Sequence, residues 1–443
     1  MAPTFTRIMK TPIFPQHEYE RRLASTRAEM DRRGLQALLV SSPENIYWLT
    51  GLDHQGFFAY HMLVVPLEGV PCLVTRAMER SVVRDQVPDL RFIGYSDKAA
   101  KVRRPDRGNE RAAGDAVLAT LDDNGRAAGV RPWDMSFGVE IRDPGEEIDT
   151  SAPVQATLQA VREVAADAGR VGMEEASTFL PFAIATGLRE RLPKVEWHDA
   201  SGLVDARRVV QSPLELERTR QAAVVSDSMM LSAIAAAGPG IATHDVMAAI
   251  YDTMFRRGGT YPGFVPLVRT THTIEHEHGT WQAGRIKKGD LLFLEMAGCV
   301  RRYHAPLGRL AFIGSAPRRA GRTHEICRQA MERAAETIGP GVAAGEVYRA
   351  WHRRLEEAGL SSYTRHHCGY SVGIGFPPSW SGSGVPVGLR ESSDLELRAG
   401  MVFHLMSWLL RTGKGDAFLS DTIVVTEGGC EFLTTVAREV TVR

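Results

Sequence analysis

Two side chains have the chemistry and the surroundings to move protons. Glu295 closes the apolar run Leu291-Leu292-Phe293-Leu294. A carboxylate among such neighbours loses hydration, so its pKa rises toward the range of a base useful at neutral pH. His278 stands 17 residues upstream, in the string HGTWQAGRIKKGDLLFLE that ends at Glu295. Imidazole exchanges a proton near neutrality. The pair suits a reaction in which Glu295 activates water or attacks an electrophilic carbon, and His278 passes a proton to the leaving group. The competing readings are a structural salt bridge between Glu295 and Arg309, and a hydrogen-bonded core or loop role for His278. Arg309 and Arg365 have the planar fork that grips a carboxylate, although ordinary surface pairing serves Arg365 equally well. Trp380 and Trp281 offer faces for a flat cationic ring, or for core packing. His272, His276, His304, His366 and His367 raise the local density of imidazole. They leave a mononuclear metal site open, with no His and carboxylate spacing that specifies one.

A repeat must position these groups. Gly238-Pro-Gly-Ile-Ala-Thr-His-Asp245-Val246 recurs 101 residues later as Gly339-Pro-Gly-Val-Ala-Ala-Gly-Glu346-Val347. Each copy leads into a helix that ends at a glycine, Gly258 or Gly359, and then into a glycine-led strand, Gly289–Glu295 or Gly400–Met406. A duplicated helix–loop–strand unit implies a pseudo-twofold sheet with helices outside and a cleft where the inner faces meet. Ser212-Pro213 is a helix start, opening a helix from Leu214 to Ala237. Upstream, Glu18–Arg33 reads as a helix, Leu35–Val40 as a buried strand, and Met62–Pro66 with Pro71–Thr75 as a hairpin. Arg91–Tyr95 and Ser136–Glu140 read as further strands. The fold class is α/β (α+β), with an N-terminal α/β domain over residues 1–205 and a second domain over 206–443 carrying the pseudo-twofold repeat.

Lys plus Arg and Asp plus Glu number 53 each among 443 residues. Nucleic-acid and membrane-surface partners usually demand a basic excess, so neither is expected, and Arg301-Arg302 reads as solvated loop charge. Five cysteines without a CxxC pair argue against a disulfide framework or a zinc site and fit a reducing cytoplasm. No leader-like apolar segment and no run of about 18 apolar residues stands out.

Asn45-Ile-Tyr47-Trp-Leu-Thr-Gly51 resembles the N-domain signature of the creatinase and prolidase family. The start of the 214–237 helix and the His278-to-Glu295 spacing resemble its catalytic domain. The resemblance implies the creatinase / aminopeptidase P, or pita-bread, fold. The family's peptidases bind two metal ions through two Asp, one His and two Glu. The matching positions here read Glu295, Pro306, Tyr370, Met406 and Ser420, so no metal cofactor is expected. Leu294–Cys299, Arg302-Tyr303-His304-Ala-Pro306-Leu-Gly-Arg309, Gly369–Trp380, His278–Trp281 and Met401–His404 resemble the metal-independent ectoine hydrolases. Ser379 and Ser381-Gly382-Ser383 depart from that pattern. Those enzymes open a cyclic amidine, and the related creatinase cleaves a C–N bond beside a guanidine-like carbon. The resemblance therefore implies a hydrolase of a small C–N substrate, with Glu295 and His278 catalytic and Tyr370, Arg309, His404, Trp380, Tyr303 and Tyr60 against the substrate. It also implies a homodimer in which residues near Asp53–Tyr60 reach the partner's cleft. A peptidase with a displaced metal site, another enzyme on this fold and an inactive binding module are the alternatives.

Overall fold

The computed structural model describes residues 13–96, 150–281, 283–382, 387–412 and 416–443. The strand expected at Ser136–Glu140 lies outside these residues. The chain divides into two compact units, Met1–Val204 and Asp205–Arg443.

In the first unit, helices α1 (Gln16–Arg32), α2 (Pro43–Thr50), α3 (Arg80–Gln86), α4 (Ser151–Glu163) and α5 (Phe182–Arg191) accompany strands β1 (Ala37–Val40), β2 (Met62–Pro66), β3 (Cys72–Arg76), β4 (Arg91–Tyr95), β5 (Arg170–Met173) and β6 (Glu196–Asp199). The strands form one mixed sheet in the order β4-β3-β2-β1-β5-β6. The Asn45–Gly51 string is helix α2, and its Asn45 amide donates to the buried Glu174 (2.6 Å), which also accepts the Ser41 and Ser42 N–H groups. This motif anchors a helix start.

The second unit holds helices α6 (Asp205–Arg208), α7 (Pro213–Ala236), α8 (Thr243–Arg256), α9 (Ala320–Thr337) and α10 (Ala344–Glu357). Its strands are β7 (Leu267–Thr270), β8 (Leu291–Val300), β9 (Tyr303–Phe312), β10 (Gly369–Ser371), β11 (Val402–Leu409), β12 (Ala417–Thr426), β13 (Gly429–Phe432) and β14 (Thr441–Val442). The main path of the sheet runs β10-β11-β12-β9-β8-β7. Ser212 and Glu215 cap α7 reciprocally, the Ser212 hydroxyl accepting from Glu215 N and the Glu215 carboxylate from Ser212 N.

The repeat holds at the level of single bonds. Helices α8 and α10 both have 14 residues at the 101-residue offset, and Gly258 (φ 80°) and Gly359 (φ 73°) end them in the left-handed region that glycine enters without strain. Gly240 N donates to Ile286 O, and Gly341 N to Leu397 O. Ile286 N donates back to Ile241 O, and Leu397 N to Val342 O. Each GPG turn is thus pinned to the segment just before the glycine-led strand of its own half.

Strands β8 and β9 join through two residues, Arg301 (φ 50°) and Arg302 (φ 68°), with Val300 opposite Tyr303. Such a tight turn normally selects Asn or Gly. Here Arg302 is held by packing: its guanidinium lies 4.0 Å over Tyr261 and 4.5 Å over Phe376. The expectation of solvated charge is corrected at Arg302, which is buried.

Candidate active site

Register decides which side chains meet. Across the sheet, Leu267, Glu295, Gly308, Ser420 and Met406 stand in one row on β7, β8, β9, β12 and β11. Side chains alternate faces along a strand. Arg269, Phe293 and Glu295 therefore share a face with Pro306, Phe418, Ser420, Met406, His404 and Trp408. Residues of opposite parity, among them Leu294, Met296, Leu307, Leu405 and Leu419, face away and build the cores beneath α7 to α10. At the centre of the row Gly308 makes way for the Phe418 ring, since a Cβ there would lie 2.2 Å from it.

A cavity of about 540 Å³ opens on this face, lined among others by Phe264, Arg269, His278, Glu295, Tyr370, Trp380 and Trp408. Glu295 is 5 % exposed. Burial raises its pKa from 4.5 to about 7; nearby Arg269 pulls it down and Glu277 pushes it up. His404 Nε2 lies 3.8 Å from a Glu295 oxygen. Burial depresses the His404 pKa to about 3, so the ring is neutral and the contact is no ion pair. Its Nδ1 meets the Tyr370 hydroxyl at 3.1 Å and its Nε2 the Ser420 hydroxyl at 2.7 Å. Trp380 Nε1 donates to the same Tyr370 oxygen at 2.8 Å. Burial, then the Glu295 charge, pushes the Tyr370 phenol well above its ordinary value, so Tyr370 stays a donor. In the Nδ1–H tautomer of His404 both Trp380 and His404 donate to its oxygen and the phenolic hydrogen points elsewhere; in the Nε2–H tautomer that hydrogen goes to His404 Nδ1.

Of the residues singled out in the sequence, Glu295, His278, Tyr370, Trp380, Arg365, His366 and His367 line this cavity. His278 lies edge-on to Phe264, whose ring also meets Trp380 edge-on. Among the described residues no hydrogen bond joins His278 to Glu295, so a proton exchanged between them needs a ligand or water in between. The assignments of Arg309, Tyr303, His404, Tyr60 and Trp281 are corrected. Arg309 stands opposite Leu294, on the far face, where it is 1 % exposed. Its guanidinium binds Asp421 (2.9 Å) and the carbonyls of Gly308, Ser420, Val436 and Ala437, and so offers nothing to a ligand or to Glu295. Tyr303 has the same parity, and its hydroxyl donates to Glu215 at the start of α7 (2.9 Å). His404 is fully buried behind Tyr370 and positions that hydroxyl. Tyr60 belongs to the core of the first unit, with its hydroxyl on Thr157 (2.8 Å). Trp281 packs against the α7 and α8 cluster. Arg269 and Trp408 also line the cavity, and the sequence reading does not single them out. The available signal was Arg269 inside the run Leu267-Val268-Arg269, two residues from a position that pairs with Glu295.

The donor set does not fit a dinuclear metal centre. Hard divalent cations ask for carboxylate oxygens and imidazole, and the five family positions supply one carboxylate, Glu295. Asp421, beside Ser420, points to the other face and is held by Arg309, Arg438 and Thr434. His304 Nε2 accepts from Gly263 N (2.8 Å). Among the described residues no group of three or more His, Cys, Asp and Glu is placed to hold an ion. No described helix is long and apolar enough to cross a membrane.

Residues 217–427 match the model for Metallopeptidase family M24, and residues 22–139 and 112–210 the model for the Creatinase/Prolidase N-terminal domain. The chain is 27% identical over 440 residues to the ectoine hydrolase of Halomonas elongata, covering 97% of this chain and 98% of that protein. It is 24% identical over 260 residues to the Xaa-Pro dipeptidase of Pyrococcus furiosus, covering 59% and 73%. The crystal structure of recombinant prolidase from Thermococcus sibiricus superposes with a TM-score of 0.75 at 17% identity, covering 96% of this chain and 99% of that one. With its pita-bread fold, its N-terminal domain and its catalytic-domain match, the chain belongs to the creatinase and aminopeptidase P family of hydrolases.

Proposed function

We propose that this protein is a metal-independent hydrolase of a C–N bond in a small cyclic amidine or guanidino-type amino-acid derivative. The observation that carries the proposal is Glu295: a buried carboxylate with a raised pKa, facing a small cavity and surrounded by residues that cannot complete a metal site. A peptide carbonyl is a poor electrophile and benefits from a Lewis acid. An amidinium carbon already bears positive charge and attracts a nucleophile without one. The likeness to an ectoine hydrolase over nearly the whole chain supports the same substrate class.

In this reading Glu295 takes a proton from water as the oxygen adds to the amidinium carbon. Tyr370, held by Trp380 and His404, donates to the oxygen of the neutral adduct. The C–N bond then breaks as a proton from Glu295 or His278 reaches the leaving nitrogen, giving an amide and an amine. Direct attack by Glu295, with water releasing the acyl group afterwards, uses the same residues.

Turnover of ectoine and creatine by protein stripped with a chelator tests the proposal, with elemental analysis alongside. Activity that survives stripping and falls more than about 100-fold in Glu295→Gln is expected. Activity lost to the chelator and restored by a divalent cation would overturn it.

A further inference from the structure

We infer that Arg269, with Arg365 beside it, forms the subsite that reads a substrate carboxylate. The inference rests on the proposed function for the identity of the reacting group, but the anion subsite stands on separate observations. Three arginines line the cavity. Arg411 pairs with Glu275, and Arg365 reaches Glu277 through one nitrogen at 3.3 Å. Among the described residues Arg269 has no carboxylate within ion-pair distance, yet it is 5 % exposed. Glu295 and Glu277 act on it only from beyond ion-pair distance, and a buried guanidinium with no carboxylate in direct contact is costly.

The geometry leaves one edge of Arg269 without a partner at Nε. Nη1 donates to the carbonyls of Ile274 and His276, both at 3.1 Å. The guanidinium carbon sits 3.8 Å over the Phe293 ring, which fixes the plane. Nε is buried with no partner. The Nε and Nη2 edge is the one that takes a carboxylate side-on with two parallel hydrogen bonds.

Arg365 repeats the arrangement. Its guanidinium carbon lies 3.9 Å over Trp408, and its Nε and the Trp408 Nε1 are likewise buried without partners. An aromatic floor joins the two arginines: Phe293 stacks on Phe418 (4.5 Å between centroids), and Phe418 meets Trp408 at 5.7 Å. The three residues that carry these orphaned donors thus all line a single cavity over that floor.

The register sets the span. Arg269 pairs with Phe293, so it is the diagonal neighbour of Glu295, about 7–8 Å away across the strands. A ligand whose carboxylate meets Arg269 would hold a carbon a few bonds away at Glu295. That spacing fits an amino-acid-sized zwitterion and leaves no room for a long chain between the two groups.

Calorimetric titration of the full-length protein with matched acids and amides tests the subsite. The probes are ectoine, creatine and glycyl-proline, each against its carboxamide. The wild type is expected to bind at least one acid about 10- to 100-fold more tightly than its amide, the range of a charge-assisted hydrogen bond. Arg269→Met should erase that preference while leaving the amide's affinity within threefold, and Arg269→Lys should keep part of it. Should Arg269→Met fail to fold, the wild-type comparison still decides. Equal affinity for acid and amide across all three pairs, or no acid binding at all, overturns the subsite. Turnover of ectoine with no preference for acid over amide sinks the subsite and spares the amidine reading. An Arg269-dependent preference without turnover of either amidine or guanidine does the reverse.

Discussion

Replacing Glu295 by Gln should make the protein more stable at alkaline pH while making it inactive. In the folded state burial holds the Glu295 pKa at about 7, against an ordinary 4.5. Below pH 4.5 the group is protonated in both folded and unfolded chains, and its ionisation contributes no difference. Between pH 4.5 and 7 the unfolded chain releases the proton while the folded one keeps it. The stabilisation due to the neutral carboxyl is therefore lost as pH rises through the folded pKa. At about 1.4 kcal/mol per unit the loss reaches roughly 3 kcal/mol above pH 7. Gln is neutral throughout and escapes it. Urea unfolding of wild type and Glu295→Gln at pH 5 and pH 8 measures the effect. The variant's advantage should grow between the two by 2 kcal/mol or so, most of the span expected from linkage. An advantage that is flat with pH would show that Glu295 ionises freely, and the case for it as a base poised near neutrality would go with it.

Other changes separate chemistry from scaffolding. Tyr370→Phe removes one donor and should lower kcat about 100-fold with KM nearly unchanged, as loss of a single proton donor does; steady-state kinetics decide, and an unaltered kcat would remove Tyr370 from the reaction. Arg309→Met leaves Asp421 buried with less compensation and should destabilise the fold by about 3–5 kcal/mol in urea unfolding. A stable Arg309→Met with a raised KM would reinstate it as a substrate contact. The rate should climb with pH as Glu295 deprotonates near 7, an ascending limb in the pH dependence of kcat/KM that Glu295→Gln lacks. The family resemblance implies a homodimer, so light scattering should return twice the 48.7 kDa of one chain; a monomer would remove any role for the Asp53–Tyr60 segment at a neighbour's cleft.

Much of the fold was legible because it is written in local chemistry. The GPG turns, the glycines after α8 and α10 and the Ser212-Pro213 cap are short-range signals, and each appears where expected. Glu295 was legible as a charge at the end of an apolar run. Side-chain direction was not, because it depends on pairing between distant strands. Arg309 and Gly308 are neighbours in sequence, and which of them faces Glu295 follows from where the β8–β9 turn falls. Val300-Arg301-Arg302-Tyr303 carries no Asn-Gly or Asp-Gly mark to locate it. Arg269 was hidden for the same reason: some twenty residues separate β7 from β8, and their register rests on tertiary packing. Tyr60 was placed by resemblance alone, and no local pattern spoke against it.

The two-residue turn at Arg301-Arg302 leaves the hairpin no slack. One added residue there would shift all of β9 by a single step against β8. Gly308 would turn toward the helices, and Arg309 would come up on the ligand's face against the Phe418 ring. Such an insertion would also break the bonds that Tyr303 makes to α7 and Arg309 makes to Asp421 on β12, and it would silence the site at a stroke. Loop length at this one corner therefore acts as a functional variable, and a chain of this kind that is longer by one there should be judged a different sort of molecule.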